Sequence, residues 1–180
     1  MNDNLQVATF AGGCFWCTEA VFLRIEGVEK LISGYTGGQI KNPAYREICT
    51  GRTGHAEAIQ IFYDEHKISY KELLEIFFAT HDPTTLNRQG NDVGTQYRSS
   101  IFYSNDIQKR EAEDFIKYLE KEHVFDNPIV TEVVPLGAFY NAEDYHQNYY
   151  NQNSEQAYCQ FVINPKLKKL RATYSNKLKK

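Results

Sequence analysis

The chain has 180 residues, of which 42% are hydrophobic and 24% are charged, and its formal net charge is −3. This length and composition suit a globular protein with one sizeable core. They exclude a protein with membrane-spanning helices, because no stretch is long and apolar enough to cross a bilayer. The acidic balance outside the C-terminal segment does not favour nucleic-acid binding. Met1 to Gln6 is polar and does not resemble a signal peptide, so we expect a cytoplasmic protein.

Charge is unevenly distributed along the sequence. Residues 166–180 hold seven basic residues and no acidic ones, whereas the preceding residues hold 13 basic and 23 acidic ones. A basic tail can bind nucleic acid or membranes, but a solvated terminal helix or frayed end is the commoner explanation and the one we favour. No linker, repeat or low-complexity segment divides the chain. We therefore predict a single domain over residues 1–180, with a basic C-terminal tail over residues 166–180.

The first predicted elements surround a cysteine near the N-terminus. The apolar run from Val7 to Phe10 predicts a strand, and the following spacing predicts a helix from about Cys17 to Ile25. Two glycines between them let the backbone turn sharply, so Cys14 is expected where the strand becomes the helix. The unpaired N–H groups and the positive dipole end of a helix N-terminus favour a thiolate. We therefore expect Cys14 to be ionised and reactive.

The rest of the chain contains periodic segments and two long polar loops. The loops, over residues 39–57 and 81–98, are long enough in a compact domain to be functional. Ser69 and Glu72 form a capping-box pattern that opens a helix with an apolar face. The remaining elements are strands over residues 29–35, 58–63, 99–103 and 129–136, helices over 106–123 and 141–151, and a short apolar run over 159–163. Strands and helices mix without strict alternation, which favours an α+β fold with helices packed mainly on one side of the sheet.

The Cys14-x-x-Cys17 pair has three interpretations. A zinc site is disfavoured because the other two cysteines are isolated and supply no second pair. A thioredoxin-like disulfide exchanger also places such a pair at a helix start. In the third interpretation, Cys14 is a nucleophile whose oxidised form is resolved by another thiol. Structural disulfides are not expected in a cytoplasmic chain, so the four cysteines are free, metal-bound or catalytic.

Four polar residues lie in the two loops. Glu57 closes the first loop, where an exposed glutamate would be unremarkable. Burial among aromatic residues would instead raise its pKa and suit it to general acid catalysis. Tyr45, Asp92 and Tyr97 stand in glycine-bearing segments, where each residue alone is best explained as a turn or surface residue.

Five motifs follow one another along nearly the whole chain, from about Ala8 to Lys169. They are GCFWC at 13–17, YTGG at 35–38, PAYREICTGRTGHAE at 43–57, HDPTTLNRQGNDVGTQYRS at 81–99 and AEDYHQ at 142–147. In this order and spacing they resemble the peptide methionine sulfoxide reductase A family. The resemblance implies a two-layer α+β sandwich around a mixed sheet. It also implies an enzyme that reduces the S-epimer of methionine sulfoxide, free or in proteins.

The same resemblance implies a role for each matched residue. Cys14 would be the nucleophile, and Glu57 would protonate the sulfoxide oxygen. Phe15 and Trp16 would line an apolar pocket for the substrate methyl group. Hydrogen bonds to the oxygen and support of the bound substrate would come from two tyrosines and a carboxylate: Tyr45, Tyr97 and Asp92.

The resemblance also implies how the enzyme is recycled. The sulfenic acid formed on the nucleophile condenses with a second thiol, and a dithiol protein such as thioredoxin opens the resulting disulfide. The implied reaction needs no metal, flavin or nicotinamide. Oxidised proteins and free methionine sulfoxide are the expected substrates, and a monomer is the expected state.

The sequence departs from the family's commoner pattern in its recycling cysteines. Cys17 stands where glycine is commoner, and Cys159 is alone rather than one of two in a glycine-rich tail. We favour Cys17 as the resolving thiol, because residues three apart in a helix are neighbours, with Cα atoms about 5–6 Å apart, within the disulfide range of about 4.4–6.8 Å. Cys159 is the other candidate, since it follows the flexible-looking residues 151–156. Cys49 is expected to be a buried spectator. A general thiol–disulfide oxidoreductase using Cys14 and Cys17 is the alternative function.

Overall fold

The centre of the fold is a six-stranded sheet. The computed structural model describes residues 4–180, and its strands are β1 (Gln6–Gly12), β2 (Val28–Thr36), β3 (Ala56–Tyr63), β4 (Arg88–Gln89), β5 (Asp92–Val93), β6 (Ser99–Tyr103), β7 (Glu132–Pro135) and β8 (Phe139–Asn141). The large sheet has the order β7-β6-β1-β3-β2-β8, and β4 pairs with β5 in a separate ribbon. Neighbours in the large sheet are antiparallel except β6 and β7, which are parallel, so the sheet is mixed.

Helical segments connect and cover these strands. The α-helices are α1 (Phe15–Phe22), α2 (Tyr45–Ile48), α3 (Tyr70–Thr80), α4 (Asp106–Lys121), α5 (Tyr149–Gln152) and α6 (Asn164–Tyr174). Short 3₁₀ turns cover Thr95–Tyr97, Asp144–His146 and Ser175–Lys177, and a π-helical turn covers Cys159–Ile163, directly before α6. Within residues 4–180, no helix combines the length and the apolar character needed to cross a membrane.

One face of the sheet carries the main core. Phe10 of β1 is fully buried, and its ring lies against those of Phe22, Tyr70 and Phe77 from α1 and α3. The helix α4 packs beside α3 on the same core. The opposite face holds a much smaller apolar cluster of three alanines and Phe102. The predicted α+β class, with helices mainly on one face of a mixed sheet, is therefore confirmed.

Helix α1 is buried on almost all sides. Seven of its eight residues are buried, because it packs on β2 and β3 on one side and on α5, α6 and the π-helical turn on the other. A helix that is buried on all sides lies in the protein interior, and the polar residues of α1, Thr18 and Glu19, are buried with the apolar ones. Cys17 within α1 and Cys14 at its start are therefore interior residues.

The predicted helix over residues 141–151 is wrong. This segment holds the end of β8, the turn Asp144–His146 and the start of α5. Asn148 breaks the helical path because it adopts a left-handed conformation, with φ 54° and ψ 38°. The side chain of Gln147 accepts the backbone N–H of Ser33 and donates to the carbonyl of the same residue, which ties the segment to β2.

The two long loops contain more regular structure than the sequence predicted. The loop over residues 39–57 includes α2 and the first residues of β3, so Glu57 lies in a strand. The loop over residues 81–98 includes the ribbon β4–β5 and a 3₁₀ turn. The predicted capping box at Ser69 is formed, since its N–H donates to Glu72 at 2.8 Å and the N–H of Glu72 donates back at 3.2 Å.

The basic C-terminal segment is packed on the body of the protein. Helix α6 buries two leucines, so only part of its surface is solvated. After α6, the Glu26 N–H donates to the Lys177 carbonyl at 2.8 Å, and the Lys179 N–H donates to the Arg24 carbonyl at 2.9 Å. We call this pair of hydrogen bonds the C-terminal clasp. It ties the end of the chain to the loop that follows α1.

Candidate active site

Cys14 lies at the turn between β1 and α1. It is the N-cap of α1, with φ −58° and ψ 126°, and its carbonyl accepts the N–H of Cys17 at 3.0 Å. Gly13 makes the turn with φ 93°, and a Cβ at this position would lie 2.7 Å from Gln89. A larger residue would therefore be strained and would clash. The structure thus places Cys14 at the strand-to-helix turn that the sequence predicted.

Glu57 on β3 lies beside this turn. Only 1% of the residue is exposed, and its Oε1 accepts the N–H of Phe15 at 3.1 Å. Its Oε2 has no hydrogen-bond partner among the described residues. Burial, with a further contribution from the charge of Asp92, raises the pKa of Glu57 to about 8 despite the opposing bond from Phe15. The carboxyl therefore carries a proton at neutral pH, and its unengaged oxygen can present that proton to a ligand.

Two tyrosines lie near the Glu57 carboxyl. Tyr45 begins α2, and Tyr97 ends the turn that precedes β6. Burial is the main cause of the raised pKa of each phenol, and the nearby charge of Glu57 is the next. Both phenols therefore stay protonated at neutral pH and can donate hydrogen bonds. The two long loops thus each bring a tyrosine to the same carboxyl.

Aromatic rings surround the first turn of α1. Phe15 is fully buried, and its ring centroid lies 5.6 Å from that of Tyr35 and 5.2 Å from that of His146. Trp16 stacks on Tyr149 at a centroid distance of 3.7 Å and an interplanar angle of 5°. These contacts hold the two side chains that follow Cys14 in fixed orientations. The result is a rigid apolar wall next to the thiol.

His146 fixes the orientation of Trp16. The indole N–H of Trp16 donates to Nδ1 of His146 at 3.0 Å. Because an indole can only donate, Nδ1 is the unprotonated nitrogen, and burial lowers the pKa of His146. The ring is therefore neutral, with its proton on Nε2. That nitrogen is buried without a partner among the described residues, and the ring lies 4.3 Å from the ring of Tyr45.

The thiols of Cys14 and Cys17 interact inside the protein, where the two residues are 8% and 4% exposed. Burial first, then the interaction with Cys17 and the charge of Glu57, raises the pKa of Cys14 well above its ordinary value. The interaction with Cys14, aided by the charge of Lys166, lowers the pKa of Cys17 to about 7. The prediction that Cys14 is ionised is therefore wrong for this structure, because burial outweighs the helix N-terminus.

A second contact of Cys17 leads to Asp92. The Tyr158 hydroxyl lies 3.5 Å from Cys17 Sγ and donates to Asp92 Oδ2 at 2.7 Å. Asp92 belongs to β5, and Tyr158 immediately precedes the π-helical turn. Asp92, Tyr158 and both cysteines border a cleft of about 350 Å³. The structure thus connects Asp92 to the thiols through Tyr158.

The other two cysteines differ from their predicted settings. Cys159 is fully buried at the first position of the π-helical turn. The segment before it is ordered by hydrogen bonds, such as that from the Gln156 N–H to the Asn153 carbonyl at 2.9 Å. Cys49 is exposed, so its prediction as a buried spectator is wrong. The buried position at the end of the short helix α2 is taken by Ile48 instead.

Comparison with known proteins decides the family. The family of peptide methionine sulfoxide reductases matches residues 6–178. The chain belongs to this family. Its relatives include the peptide methionine sulfoxide reductase MsrA of Deinococcus radiodurans, which is 57% identical over 174 residues, covering 97% of this chain and 84% of the relative.

Solved structures of the family share the fold. Reduced Mxr1 from Saccharomyces cerevisiae is similar to this chain with a TM-score of 0.80 and 34% identity, over 88% of this chain and 91% of that one. Mxr1 in complex with Trx2 is similar with a TM-score of 0.56 and 25% identity, over 83% of this chain and 87% of that one. The chain is thus a methionine sulfoxide reductase, and a general thiol–disulfide oxidoreductase is not favoured.

The candidate site gathers the residues that the sequence selected. Around the first turn of α1 the structure brings together Cys14, Phe15, Trp16, Cys17, Tyr45, Glu57, Asp92 and Tyr97. Sequence analysis missed the three aromatic residues that hold Trp16 and Cys17, namely His146, Tyr149 and Tyr158. The sequence signal that could have revealed them is the high density of tyrosines after residue 144. Within residues 4–180, no group of three His, Cys, Asp or Glu side chains is arranged to hold a metal ion.

Proposed function

We propose that this reductase acts on the S-epimer of methionine sulfoxide, free and in oxidised proteins, with Cys14 as the nucleophile and Glu57 as the general acid. One observation carries the proposal. A buried carboxyl that is protonated at neutral pH, with one oxygen unengaged, lies next to a buried thiol at a helix start. A sulfoxide needs both groups, a thiol for its sulfur and a proton for its oxygen.

The side chains around the thiol can bind both the methyl group and the oxygen of a methyl sulfoxide. Phe15 and Trp16 would bind the methyl group, because their rings are held by neighbours and offer apolar surface. Tyr45 and Tyr97 would donate hydrogen bonds to the oxygen, which gains negative charge as the sulfur is attacked. The methyl and oxygen sites lie on different elements and flank one thiol. Only one configuration of the chiral sulfur can place its methyl group on the aromatic wall, its oxygen at the hydrogen-bond donors and the sulfur itself at the thiol. This supports selectivity for one epimer.

The first half of the proposed reaction converts Cys14 to a sulfenic acid. Its thiol attacks the substrate sulfur while Glu57 delivers its proton to the sulfoxide oxygen. The protonated oxygen then moves to the Cys14 sulfur. Its bond to the substrate sulfur breaks, as does the sulfur–sulfur bond that formed in the attack, and methionine leaves. The proton that Cys14 loses restores Glu57. The substrate sulfur is reduced by two electrons and the Cys14 sulfur is oxidised by two.

We propose Cys17 rather than Cys159 as the thiol that resolves the sulfenic acid. Cys17 interacts directly with Cys14, and this interaction lowers the pKa of Cys17, which favours the nucleophilic thiolate. Burial raises the pKa of Cys159, and so does the charge of Cys17. The buried place of Cys159 at the start of the π-helical turn also gives it less freedom to reach Cys14 than the flexible segment that the sequence suggested.

Thioredoxin is the proposed reductant of the resulting disulfide. This chain is similar to Mxr1, which has been solved in complex with Trx2. The cleft bordered by Cys14 and Cys17 gives a dithiol a route to the disulfide. The proposed cycle uses no bound cofactor or metal. We further propose that the chain works as a monomeric, single-domain enzyme in the cytoplasm, where dithiol reductants keep thiols reduced.

Single-turnover measurements without reductant test this proposal. The reduced protein is mixed with one equivalent of free methionine S-sulfoxide, and methionine and remaining thiols are counted. We expect one methionine released and two thiols lost per chain, with no release from the R-sulfoxide over the same time. Equal turnover of both epimers, or release of methionine without loss of thiols, would contradict it.

A further inference from the structure

The hydrogen bonds around Tyr158 define the direction of a proton path. Its phenol has a single proton, and the 2.7 Å bond to Asp92 uses that proton. The 3.5 Å contact with Cys17 must then run the other way, with the thiol S–H donating to the phenol oxygen. The order of donors is therefore Cys17 to Tyr158 to Asp92. A carboxylate at the end of such a chain can accept a proton.

We propose that Tyr158 and Asp92 carry the proton away from Cys17 when this thiol attacks the sulfenic acid on Cys14. The inference rests on the proposed role of Cys17 as the resolving thiol. Tyr158 touches a reacting atom and is a catalytic residue of this step. Asp92 acts through Tyr158 and is a positioning residue that also receives the proton.

The step balances in atoms and charge. The Cys17 sulfur forms a bond to the Cys14 sulfur, and the S–O bond of the sulfenic acid breaks. The thiol proton passes to the Tyr158 oxygen as the phenol proton passes to Asp92. The departing hydroxide takes the proton of Glu57 and leaves as water. Asp92 and Glu57 then exchange the proton through solvent, and no external oxidant or reductant is needed.

Burial explains why Cys17 needs such a path. The residue is only 4% exposed where it borders the cleft, so the Tyr158 hydroxyl at 3.5 Å is a better-placed proton acceptor than bulk water. The titratable and charged groups that act on Cys17 are Cys14 at the helix start, Glu57 on β3, Tyr158 before the π-helical turn, Asp92 on the ribbon and Lys166 on α6. Cys159, in the π-helical turn, also interacts with Cys17. The charge of Lys166 favours the thiolate, whereas the charge of Asp92 opposes it.

The position of Tyr158 fits this role. It precedes the π-helical turn Cys159–Ile163, an irregularity that is frequent at functional sites. Its ring stands edge-on to Trp16 at a centroid distance of 5.8 Å, so the hydroxyl is held by packing on one side and by Asp92 on the other. Two distant segments thus place one phenol between a thiol and a carboxylate.

The test separates the two halves of a single turnover. Methionine release reports sulfenic acid formation, and thiol counting after acid quench reports disulfide formation. In Tyr158→Phe we expect disulfide formation to slow at least about tenfold relative to methionine release.

Asp92→Asn distinguishes a proton path from simple electrostatics. Removing the charge of Asp92 lowers the pKa of Cys17, so an electrostatic role alone predicts unchanged or faster disulfide formation at neutral pH. The proton path predicts slower disulfide formation relative to methionine release, since asparagine cannot accept the proton. Tyr150→Phe is the matched control, because its hydroxyl bonds Asn164 in the same C-terminal region at 2.5 Å. We expect this control to keep the wild-type ratio of the two rates.

The outcomes distinguish this inference from the function on which it rests. If Cys17→Ser still forms an intramolecular disulfide at the wild-type rate, both the resolving role of Cys17 and the proton path are overturned. If Cys17→Ser forms none while Tyr158→Phe and Asp92→Asn keep the wild-type ratio of rates, the resolving role stands and the proton path alone is overturned.

Discussion

Replacing Glu57 by glutamine tests the acid on which the proposed mechanism depends. Glutamine can keep the bond that Oε1 accepts from the Phe15 N–H at 3.1 Å, so the first turn of α1 should stay in place. With a pKa of about 8, about 90% of the wild-type carboxyl holds a proton at pH 7. Almost all of the enzyme therefore carries its acid at neutral pH, and the variant carries none.

The expected loss is the full contribution of a general acid, about 10²–10⁴-fold in the rate of methionine release, which corresponds to roughly 3–5 kcal/mol of barrier. The pH profile adds a second signature. Wild-type release should fall as pH rises through about 8, where Glu57 loses its proton, and the variant should lack this alkaline limb. Rapid-quench measurement of methionine release from pH 6 to 10 supplies both readouts. A variant with the wild-type rate and the wild-type limb would show that Glu57 is structural.

Four further outcomes are expected. Cys14→Ser should release no methionine while keeping its fold by circular dichroism, because a hydroxyl is a far weaker nucleophile; activity within a few-fold of wild type would refute its role. Cys17→Ser should lose the intramolecular disulfide after one turnover, whereas Cys159→Ser should form it at the wild-type rate, as judged by mass spectrometry; the reverse result would reassign resolution to Cys159. Glu57→Gln should melt at a higher temperature than wild type at pH 8. Because the pKa of Glu57 is raised in the folded protein, the contribution of its carboxyl to wild-type stability falls as pH rises from about 4.3, the pKa in the unfolded chain, to about 8. An equal increase in melting temperature at pH 4 would contradict this. Burial lowers the pKa of His81 to about 4. The neutral ring therefore stabilises the fold above the unfolded pKa of about 6.5, and this stabilisation is lost as pH falls to about 4. His81→Gln should reduce the change in the free energy of unfolding between pH 6.5 and pH 4, and an unchanged pH dependence would refute this reasoning.

Local patterns predicted much of the scaffold. The capping box at Ser69 and the strand over residues 99–103 depend on neighbours within a few residues, and both are found where they were predicted. The turn that holds Cys14 was also local, since two glycines and a following apolar helix define it. The segment over residues 141–151 failed because Asn148 takes a left-handed conformation, which no periodicity reveals.

The electrostatics of the site could not be predicted in the same way. Cys14 was expected to be ionised because only the helix start was visible in the sequence. Its environment is instead set by burial under C-terminal segments and by Glu57, 43 residues away in the chain. The phenol next to Cys17 comes from Tyr158, which is 141 residues away. Resemblance to a family selected the candidate reacting groups, but only the assembled structure shows that burial opposes the ionisation of Cys14.

The C-terminal clasp has a consequence for how this enzyme is made. A domain generally folds as a unit, and the N-terminal part of a chain is synthesised first, so β1 and α1 are made before the segments that cover them. Trp16 and Cys17 are held by three residues from later in the chain, namely His146, Tyr149 and Tyr158. The clasp at residues 177–179 comes later still. The cover over Trp16 and Cys17 can therefore form only after residues 146–158 have been synthesised. Until then, Trp16 and the Cys17 thiol lack the side chains that pack on them in the folded protein.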